Sequence, residues 1–271
     1  MPLVRSRNFR LSRSRPMSLP WVDILKFLLV IIALGWLLYR GTDRLGYNWQ
    51  WHRVPRYILS IEDSKLILGP LIDGLIVTLR ICSWSLVLAA LFGLVTALLR
   101  MSESFVGRTV ARGYLELIRN TPLLVQLFFI YFVLGPVLGI DRFTSGVLAL
   151  SLFEGAYASE IFRAGIVSID KGQWEAAHSL GLSVIHSYRY IILPQAIRRI
   201  LPPLTSQAVS LIKDSALVST VAIYDLTMQA QVIISETFLT FEVWFTVAAI
   251  YLVITFMLSA TADILEHRFL T

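Results

Sequence analysis

The sequence predicts an all-α integral membrane protein with six transmembrane helices, and its composition and its apolar runs lead to this fold class. Hydrophobic residues make up 56% of the 271 residues and charged residues only 15%, whereas soluble domains carry about 25% charged residues. Three uncharged runs, 81–99, 121–140 and 243–262, are long enough to cross a bilayer, which takes about 20 residues. No linker, low-complexity tract or strand-like alternation divides the chain, which indicates one helical domain.

The first predicted span in chain order, residues 22–39, is interpreted as an uncleaved signal anchor. A cleaved signal peptide ends in a cleavage site with an A-x-A-like pattern of small residues, and no such site follows this span. We therefore expect residues 1–69 to comprise a basic cytoplasmic tail, this anchor and an external interfacial segment. Residues 70–271 are expected to form the main transmembrane domain.

Two further predicted spans are interrupted by charge. The span at about 143–162 contains two glutamates, and the span at about 204–224 contains Lys213 and Asp214. Charged side chains inside a membrane are costly and mark functional positions. We therefore expect the residues that act in function to lie in these two spans.

The positions of lysine and arginine predict that both termini lie in the cytoplasm, because cytoplasmic loops are enriched in these residues. The N-terminal tail, the loop after the second span and the loop 163–200 are basic, while segment 215–241 contains no Lys or Arg. Residues 40–70 carry five basic residues on the predicted outer side and conflict with this orientation, although their tryptophans suit an interfacial element. The net charge of +6 therefore reflects orientation and not a nucleic-acid face.

The longest polar loop, 163–200, carries a spaced pattern: E-A-A, three residues, G, nine residues, then I-x-L-P, from Glu175 to Pro194. Gly181 is expected to end one short helix, Ser183 to cap the start of the next, and Pro194 to end that one. Two short helices set at an angle, with apolar residues on one side, predict a projection that docks into a cleft of another protein.

This spacing resembles the cytoplasmic coupling loop of the permease subunits of bacterial ABC importers. The resemblance covers about residues 70–270 and extends to five further blocks, which are similar to the subfamily that imports polar amino acids such as histidine, glutamine, glutamate and arginine. These blocks are R-N-T-P-L-L-V-Q (119–126), G-A-Y (155–157), E-I-F-R (160–163), L-P-P-L (201–204) and S-L-I-K-D (210–214). The resemblance implies the type I importer core for the last five spans, and the bacterial inner membrane as location.

The resemblance also implies a set of partners. The loop would dock to a separate ATPase subunit, and the coupling residues expected from the motif are Glu175, Ala176, Ala177, Leu180, Gly181, Leu193 and Pro194. The sequence has no Gly-Lys pair and so no phosphate-binding loop, which predicts a non-enzymatic subunit without a cofactor, with ATP and Mg²⁺ bound by the partner. A second permease copy, identical or paralogous, and an extracytoplasmic amino-acid-binding protein would complete the importer. We expect no metal site, because four histidines and one cysteine form no recognisable ligand set.

Polar side chains within the spans are candidates for the substrate path: Glu154, Tyr157, Gln126, Gln207, Lys213 and Asp214. A carboxylate near mid-span costs about 2.5–3.5 kcal/mol on insertion scales, so Glu154 must face protein or water. It could meet the ammonium group of a passing amino acid, or it could be a buried glutamate bonded to a neighbouring span. Lys213 and Asp214 point about 100° apart on a helix, so each needs another partner, in the cavity or between helices.

Two local ion pairs at i, i+3 spacing are also predicted, Glu116 with Arg119 and Glu160 with Arg163. We expect the first to be interfacial and structural. For the second, a structural role and a gating role remain equally open.

Two other function classes compete with the importer permease. A secondary transporter would use Glu154 and Asp214 as proton sites, since membrane carboxylates serve proton relays; its uptake would depend on the proton gradient and not on an ATPase. A purely structural membrane protein has no need of the loop motif. The amino acid carried, and the pairing with an identical or a different permease, are left open by the sequence.

Overall fold

The computed structural model describes residues 20–62 and 65–270, most of which are helical. Contacts divide the chain into one unit that ends at Trp49 and a second that starts at Gln50. In the first unit, α1 (Pro20–Leu45) is a continuous apolar helix whose described side chains are all exposed. It is long and apolar enough to cross a membrane, in agreement with the first predicted span.

The second unit begins with a short 3-10 turn and a hairpin. Its elements are the turn Trp51–Arg53, α2 (Pro55–Ile58), β1 (Leu59–Glu62) and β2 (Lys65–Leu68), with β1 and β2 antiparallel. This hairpin was not predicted, because strands of four residues are too short to show a clear alternation of apolar and polar residues. The described fold is therefore not purely α-helical.

The next part of the chain holds the second to fourth predicted spans. Its elements are α3 (Pro70–Met101), α4 (Phe105–Arg119), α5 (Leu123–Phe128), a π-helical segment (Phe129–Leu134), α6 (Gly135–Leu138) and α7 (Arg142–Val167). The rod formed by α5, the π-helical segment and α6 is bent by 107° from α4. The predicted loop after the second span is thus mainly the helix α4.

The remaining elements include the loop motif and the last two predicted spans. They are α8 (Lys171–Ser179), α9 (Val184–Ser187), a π-helical segment (Tyr188–Ile192), α10 (Leu193–Asp214), a 3-10 segment (Ser215–Val221), α11 (Leu226–Thr237) and α12 (Thr240–Leu270). The helical stretch 184–221 is bent by 49° from α11.

The prediction that Pro194 ends a helix is wrong. Pro194 lies in the first turn of α10, and the chain is helical on both sides of it. Proline lacks the N–H group and its ring would clash with the carbonyl group one turn earlier in a regular α-helix. The wider π-helical turn directly before α10 provides room for the ring, so the helix continues into the membrane-facing part of the chain.

Length and composition support three to five spans. Within the described residues, α1, α3 and α12 each qualify alone, and two bent pairs, α4 with α5–α6 and the stretch 184–221 with α11, raise the number to five if each pair is one span. Helix α7 is 26 residues long but carries Glu154, Glu160 and Arg163, which lower its hydropathy. The count of six therefore stays a prediction.

Helix α3 connects the two ends of the helical bundle. Leu71, at its start, is fully buried in a cluster with residues of α11 and α12, while Met101, at its end, packs against a cluster around Ile192. Between these ends α3 packs tightly on α7: a Cβ atom on Gly93 would lie 2.8 Å from the Ala158 Cβ. Small residues thus permit the close crossing of these two helices.

The segment 50–69 lies at the end of the bundle where α3 begins. The Gln50 N–H donates to Glu242 Oε1 over 2.7 Å, and the Gly69 N–H donates to the Ile58 carbonyl over 2.8 Å. A Cβ on Gly69 would lie 2.3 Å from the Tyr57 carbonyl, so only glycine fits. This position is at the end of the bundle opposite to the loop motif.

Candidate coupling loop and polar cluster

A tight turn joins α8 to α9 in the loop motif. The Gly181 N–H donates to the His178 carbonyl over 2.9 Å, and the Leu182 N–H donates to the Ala177 carbonyl over 3.1 Å. Gly181 has a φ of 71°, a left-handed conformation that glycine adopts without strain. This hydrogen-bond pattern is the Schellman motif that ends many helices, and it confirms the predicted helix end.

Side chains cap the starts of both short helices. Ser183 Oγ accepts a hydrogen bond from the His186 N–H at 3.4 Å, as predicted for an N-cap. Asp170 caps α8 and accepts from the Gly172 N–H at 2.7 Å. The angle between the two helices is therefore fixed by local hydrogen bonds.

The inner side of the helix pair is anchored to α10 and to the end of α7. The ring of Trp174 meets that of Tyr188 edge to face at 4.9 Å, and Gln195 Nε2 donates to Gln173 Oε1 over 3.0 Å. Trp174 also packs in the same cluster as Ile166 of α7, and the Arg199 guanidinium of α10 donates to the Ser168 carbonyl directly after α7. The loop is thus one rigid body with the ends of the helices on both sides of it.

The outer side of the helix pair exposes apolar side chains. Leu180 is 76% exposed and Ile185 is 77% exposed. Among the predicted coupling residues, the exposed ones are Glu175, Ala176, Leu180, Gly181, Leu193 and Pro194, whereas Ala177 is fully buried against the rest of the loop. Ile185 is not one of the residues expected from the motif.

Glu154 of α7 is bonded to the neighbouring helix α10. It is 2% exposed, and Gln207 Nε2 donates to its Oε2 atom. Its Oε1 atom is buried and receives no hydrogen bond from an N–H or hydroxyl group in the described part of the chain. The described residues form no ion pair with it. Two interpretations of Glu154 were left open by the sequence. In this structure Glu154 is a buried glutamate bonded to a neighbouring span, which is the second of them.

Asp214 adds a second carboxyl group to this cluster. It is partly buried and interacts electrostatically with Glu154. Lys213 is exposed and forms no ion pair of 4 Å or less with Asp214 among the described residues. Beside Glu154 and Gln207 lies a cavity of about 30 Å³, which has room for one or two water molecules but not for an amino acid.

Gln126 and Tyr157 lie apart from this cluster. Gln126 is buried, and its Nε2 atom donates to the Ile118 carbonyl over 2.8 Å and to the Thr121 Oγ1 over 2.8 Å. It therefore holds the bend between α4 and α5. Tyr157 lies near the cytoplasmic end predicted for α7, with the Arg119 guanidinium 5.8 Å from its ring centre. The six predicted path residues do not converge on one site in this conformation.

Glu160 forms ion pairs with three arginine side chains from three helices. Arg100 Nη1 donates to Glu160 Oε1 over 2.7 Å, Arg119 Nη1 to the same atom over 3.0 Å, and Arg163 Nε to Oε2 over 3.3 Å. The predicted pair of Glu160 with Arg163 is confirmed. The predicted pair of Glu116 with Arg119 is wrong, because Arg119 turns to the more buried Glu160 of α7.

The chain matches one protein family over most of its length. Residues 89–271 match the model of the binding-protein-dependent transport system inner membrane component. The glutamine transport system permease protein of Escherichia coli (strain K12) is 41% identical over 201 residues, which cover 73% of this chain and 92% of that protein. The probable glutamine ABC transporter permease protein of Bacillus subtilis (strain 168) is 39% identical over 201 residues, covering 72% and 92%.

Solved structures of ABC transporters contain chains that are similar to this one. The crystal structure of an amino acid ABC transporter with histidines contains a chain that is 44% identical, with a TM-score of 0.69 and coverage of 73% of this chain and 94% of that one. An inward-facing methionine ABC transporter has a chain with the same fold, at 18% identity, a TM-score of 0.64 and coverage of 74% and 96%. The chain therefore belongs to the family of inner membrane components of binding-protein-dependent transport systems, the permease subunits of ABC importers, as its loop motif predicted.

Proposed function

We propose that this chain is the permease subunit of an ATP-driven importer for polar amino acids of the glutamine type in a bacterial inner membrane. The names of the relatives support this substrate class, and the family description supports delivery of the solute by a binding protein. In this proposal the chain pairs with a second permease, identical or paralogous. Two copies of an ATPase subunit bind from the cytoplasm, and both termini lie on that side.

The observation that carries the proposal is the rigid, outward-facing helix pair α8–α9. Its exposed Leu180 and Ile185 offer an apolar surface that suits a cleft of the ATPase subunit, and the exposed Glu175 adds a charge next to it. On the inner side, Trp174 packs in the same cluster as Ile166 of α7, and Gln173 is bonded to Gln195 of α10. Closure of the ATPase dimer would therefore move these two helices together with the loop, a rigid-body movement.

The substrate path is proposed to pass between α7 and α10. Glu154 and Asp214 bring two carboxyl groups together beside the amide of Gln207, and acidic groups attract the ammonium group of an amino acid. The cavity at this position is about 30 Å³, too small for an amino acid, which supports a closed state. In the open state α7 and α10 would separate, and the ammonium group would replace the amide as partner of Glu154.

The coupling role is tested with two matched substitutions, Leu180→Glu and Phe238→Glu. The two side chains are similarly exposed, 76% and 79%, but lie at opposite ends of the bundle. The permease is co-expressed with its ATPase subunit, and co-purification and ATPase activity are measured. We expect Leu180→Glu to lose most of the bound ATPase subunit, because a carboxylate cannot enter an apolar cleft without a partner, and Phe238→Glu to retain it.

The importer class is tested in proteoliposomes that contain the purified complex. Uptake of radioactive glutamine should require internal ATP and the external binding protein, and it should continue when the proton gradient is removed. Uptake that persists without the ATPase subunit and stops when the proton gradient is removed would instead establish a secondary transporter.

The docking face has its own contrary outcome. If Leu180→Glu and Phe238→Glu retain the ATPase subunit equally, the assigned docking face is wrong.

A further inference from the structure

Helix α4 has one face packed into the protein. Ala111, Leu115 and Ile118 are buried and follow one another at i, i+4 and i+7, so they form one stripe. This stripe packs toward α7, where Leu115 and Ile118 join a cluster with Ala156. The remaining two sides of α4 do not contribute to the core of the described chain.

These two sides differ completely in chemistry. Arg108, Arg112 and Arg119 lie at i, i+4 and i+11 and form a basic stripe, which also includes Glu116. The other side exposes apolar residues: Val106 is 68% exposed, Val110 is 61% exposed and Leu117 is 65% exposed. Because successive helix residues are about 100° apart, Val110 points about 160° away from Arg112. The helix is thus amphipathic on the surface that the protein leaves open.

The orientation of α4 suits the surface of a membrane. Its axis is bent by 107° from the rod α5–α6, so α4 lies close to the membrane plane if that rod crosses the bilayer. The bend is not a free hinge, because Gln126 Nε2 donates to the carbonyls of both Ile118, at 2.8 Å, and Thr121, at 3.0 Å. Helices with a basic face and an apolar face lie in the membrane interface in this way.

A polar cavity adjoins the basic stripe. It has a volume of about 280 Å³, and its lining contains three arginines, Arg100, Arg112 and Arg119, together with two glutamates, Glu116 and Glu160. Arg100 and Arg119 are bonded to Glu160, whereas Arg112 is bonded to no residue that the structure describes. Guanidinium groups bind phosphate oxygens in a bidentate manner, so Arg112 is available to bind one phosphate group.

We propose that α4 is an interfacial helix whose basic stripe binds the headgroups of anionic phospholipids, with one phosphate bound by Arg112. The apolar residues Val106, Val110 and Leu117 then enter the outermost part of the acyl chains. Three arginines against one glutamate on α4 complement an anionic membrane surface. This inference depends on the bend and the faces of α4, and it holds whatever solute the protein carries.

The position of the apolar face is tested by fluorescence quenching. The only cysteine, Cys82, is replaced by alanine, and a single cysteine at position 106, 110 or 108 in the full chain is labelled with a fluorophore in proteoliposomes. We expect the labels at 106 and 110 to be quenched by lipids with a nitroxide near the top of the acyl chain. The label at 108 should be quenched by aqueous iodide instead. Quenching of all three labels by iodide would overturn the proposal.

The phosphate site is tested by thermal unfolding of the detergent-solubilised protein. Titration with short-chain phosphatidylglycerol should raise the unfolding temperature of the wild type by several degrees, and Arg112→Gln should remove most of this shift. The matched control is Arg198→Gln, since Arg198 is also exposed but lies on α10; this variant should keep the shift. Equal loss in both variants would indicate a nonspecific charge effect and would overturn the site.

Two further measurements test whether a soluble anion binds at Arg112 or a second copy of the chain covers the apolar face. Inorganic phosphate in place of the lipid should give no shift, and an equal shift would assign the site to a soluble anion. If the label at position 110 is shielded from acyl nitroxides in the assembled complex but not in the separated permease, the apolar face contacts a second copy of the chain. Either result would overturn the lipid assignment.

Discussion

At the scale of single residues, Glu160 shows how one carboxylate links three helices. It accepts hydrogen bonds from Arg100 of α3, Arg119 of α4 and Arg163 of its own helix. Its side chain is only 28% exposed, so these charge-assisted bonds are stronger than those of exposed surface pairs. Removal of this charge leaves three arginines close together without a counter-ion.

We predict that Glu160→Gln lowers the stability of the protein, whereas Glu116→Gln leaves it nearly unchanged. The first variant loses the counter-ion of three guanidinium groups, at a cost of about 1–3 kcal/mol. Glu116 is exposed, and among the described residues its side chain is bonded only to Asn120, so its change should cost less than about 0.5 kcal/mol. Thermal unfolding in detergent measures both, and equal unfolding temperatures would show that Glu160 is not the central partner.

We also predict that Glu154→Gln reduces transport without unfolding the protein. The amide introduced at position 154 can still bond to Gln207, but the negative charge that would meet an ammonium group is lost. Uptake and substrate-stimulated ATPase activity should fall at least tenfold, and most for cationic amino acids if the charge sets preference. The control Glu236→Gln removes an exposed carboxylate of α11 and should not change uptake. Unchanged transport by Glu154→Gln over a panel of amino acids would contradict the role.

The residues that sequence reasoning located correctly are those whose partners are near in the chain. The conformation of Gly181 and the cap at Ser183 depend on groups within five residues, so local rules predict them. Arg119 was assigned to the wrong glutamate, because its partner Glu160 is 41 residues away. The position of Gln126 at a bend also could not be predicted from the sequence, since the bend itself results from tertiary packing.

At the scale of elements, the crossing of α3 and α7 depends on residues without bulk. Gly93 of α3 approaches Ala158, and Gly155 of α7 approaches the Phe92 Cβ, where an added Cβ would lie at 3.0 Å. In membrane proteins, helices pack through such small residues, because lipid removes most of the hydrophobic driving force. The substrate-path candidate Glu154 is adjacent to this crossing, so its position depends on it.

We predict that Gly93→Ala destabilises the protein and that Gly113→Ala does not. The new Cβ at position 93 would lie 2.8 Å from the Ala158 Cβ, so α3 and α7 must move apart, at a cost of about 1–3 kcal/mol. Gly113, in the middle of α4, has no atom within 4 Å of an added Cβ, and alanine should stabilise this helix by about 0.5–1 kcal/mol. Thermal unfolding compares the two variants, and equal destabilisation would contradict the tight crossing.

Hydropathy located the long helices but not their irregular parts. The runs 81–99 and 243–262 lie inside α3 and α12, because long apolar stretches have few alternatives to a helix in a membrane. The run 121–140 is divided by a π-helical segment, and another π-helical segment precedes Pro194. These features arise from side-chain packing and from proline geometry. An average of hydropathy over a window of residues cannot detect either.

At the scale of the whole molecule, the two ends of the bundle have different chemistry. One end carries the loop motif and the arginines around Glu160. At the other end, α12 begins beside the segment 50–69, where Gln50 is bonded to Glu242. The excess of arginine at the first end follows the rule that basic residues remain in the cytoplasm. The same asymmetry was visible in the sequence, and the structure adds that α3, α7, α10 and α12 connect the two ends.

We predict that Leu180 and Phe238 lie on opposite sides of the membrane. Each is changed to cysteine in a chain that otherwise keeps only Cys82, which is buried and should not react. In intact cells a membrane-impermeant maleimide should label Phe238→Cys, while Leu180→Cys should react only after the membrane is permeabilised. The reason is that the basic loop end faces the cytoplasm, whereas Phe238 joins α11 to α12 in a segment without Lys or Arg. Labelling of both cysteines from outside would contradict this orientation, and with it the docking of an ATPase subunit on the loop.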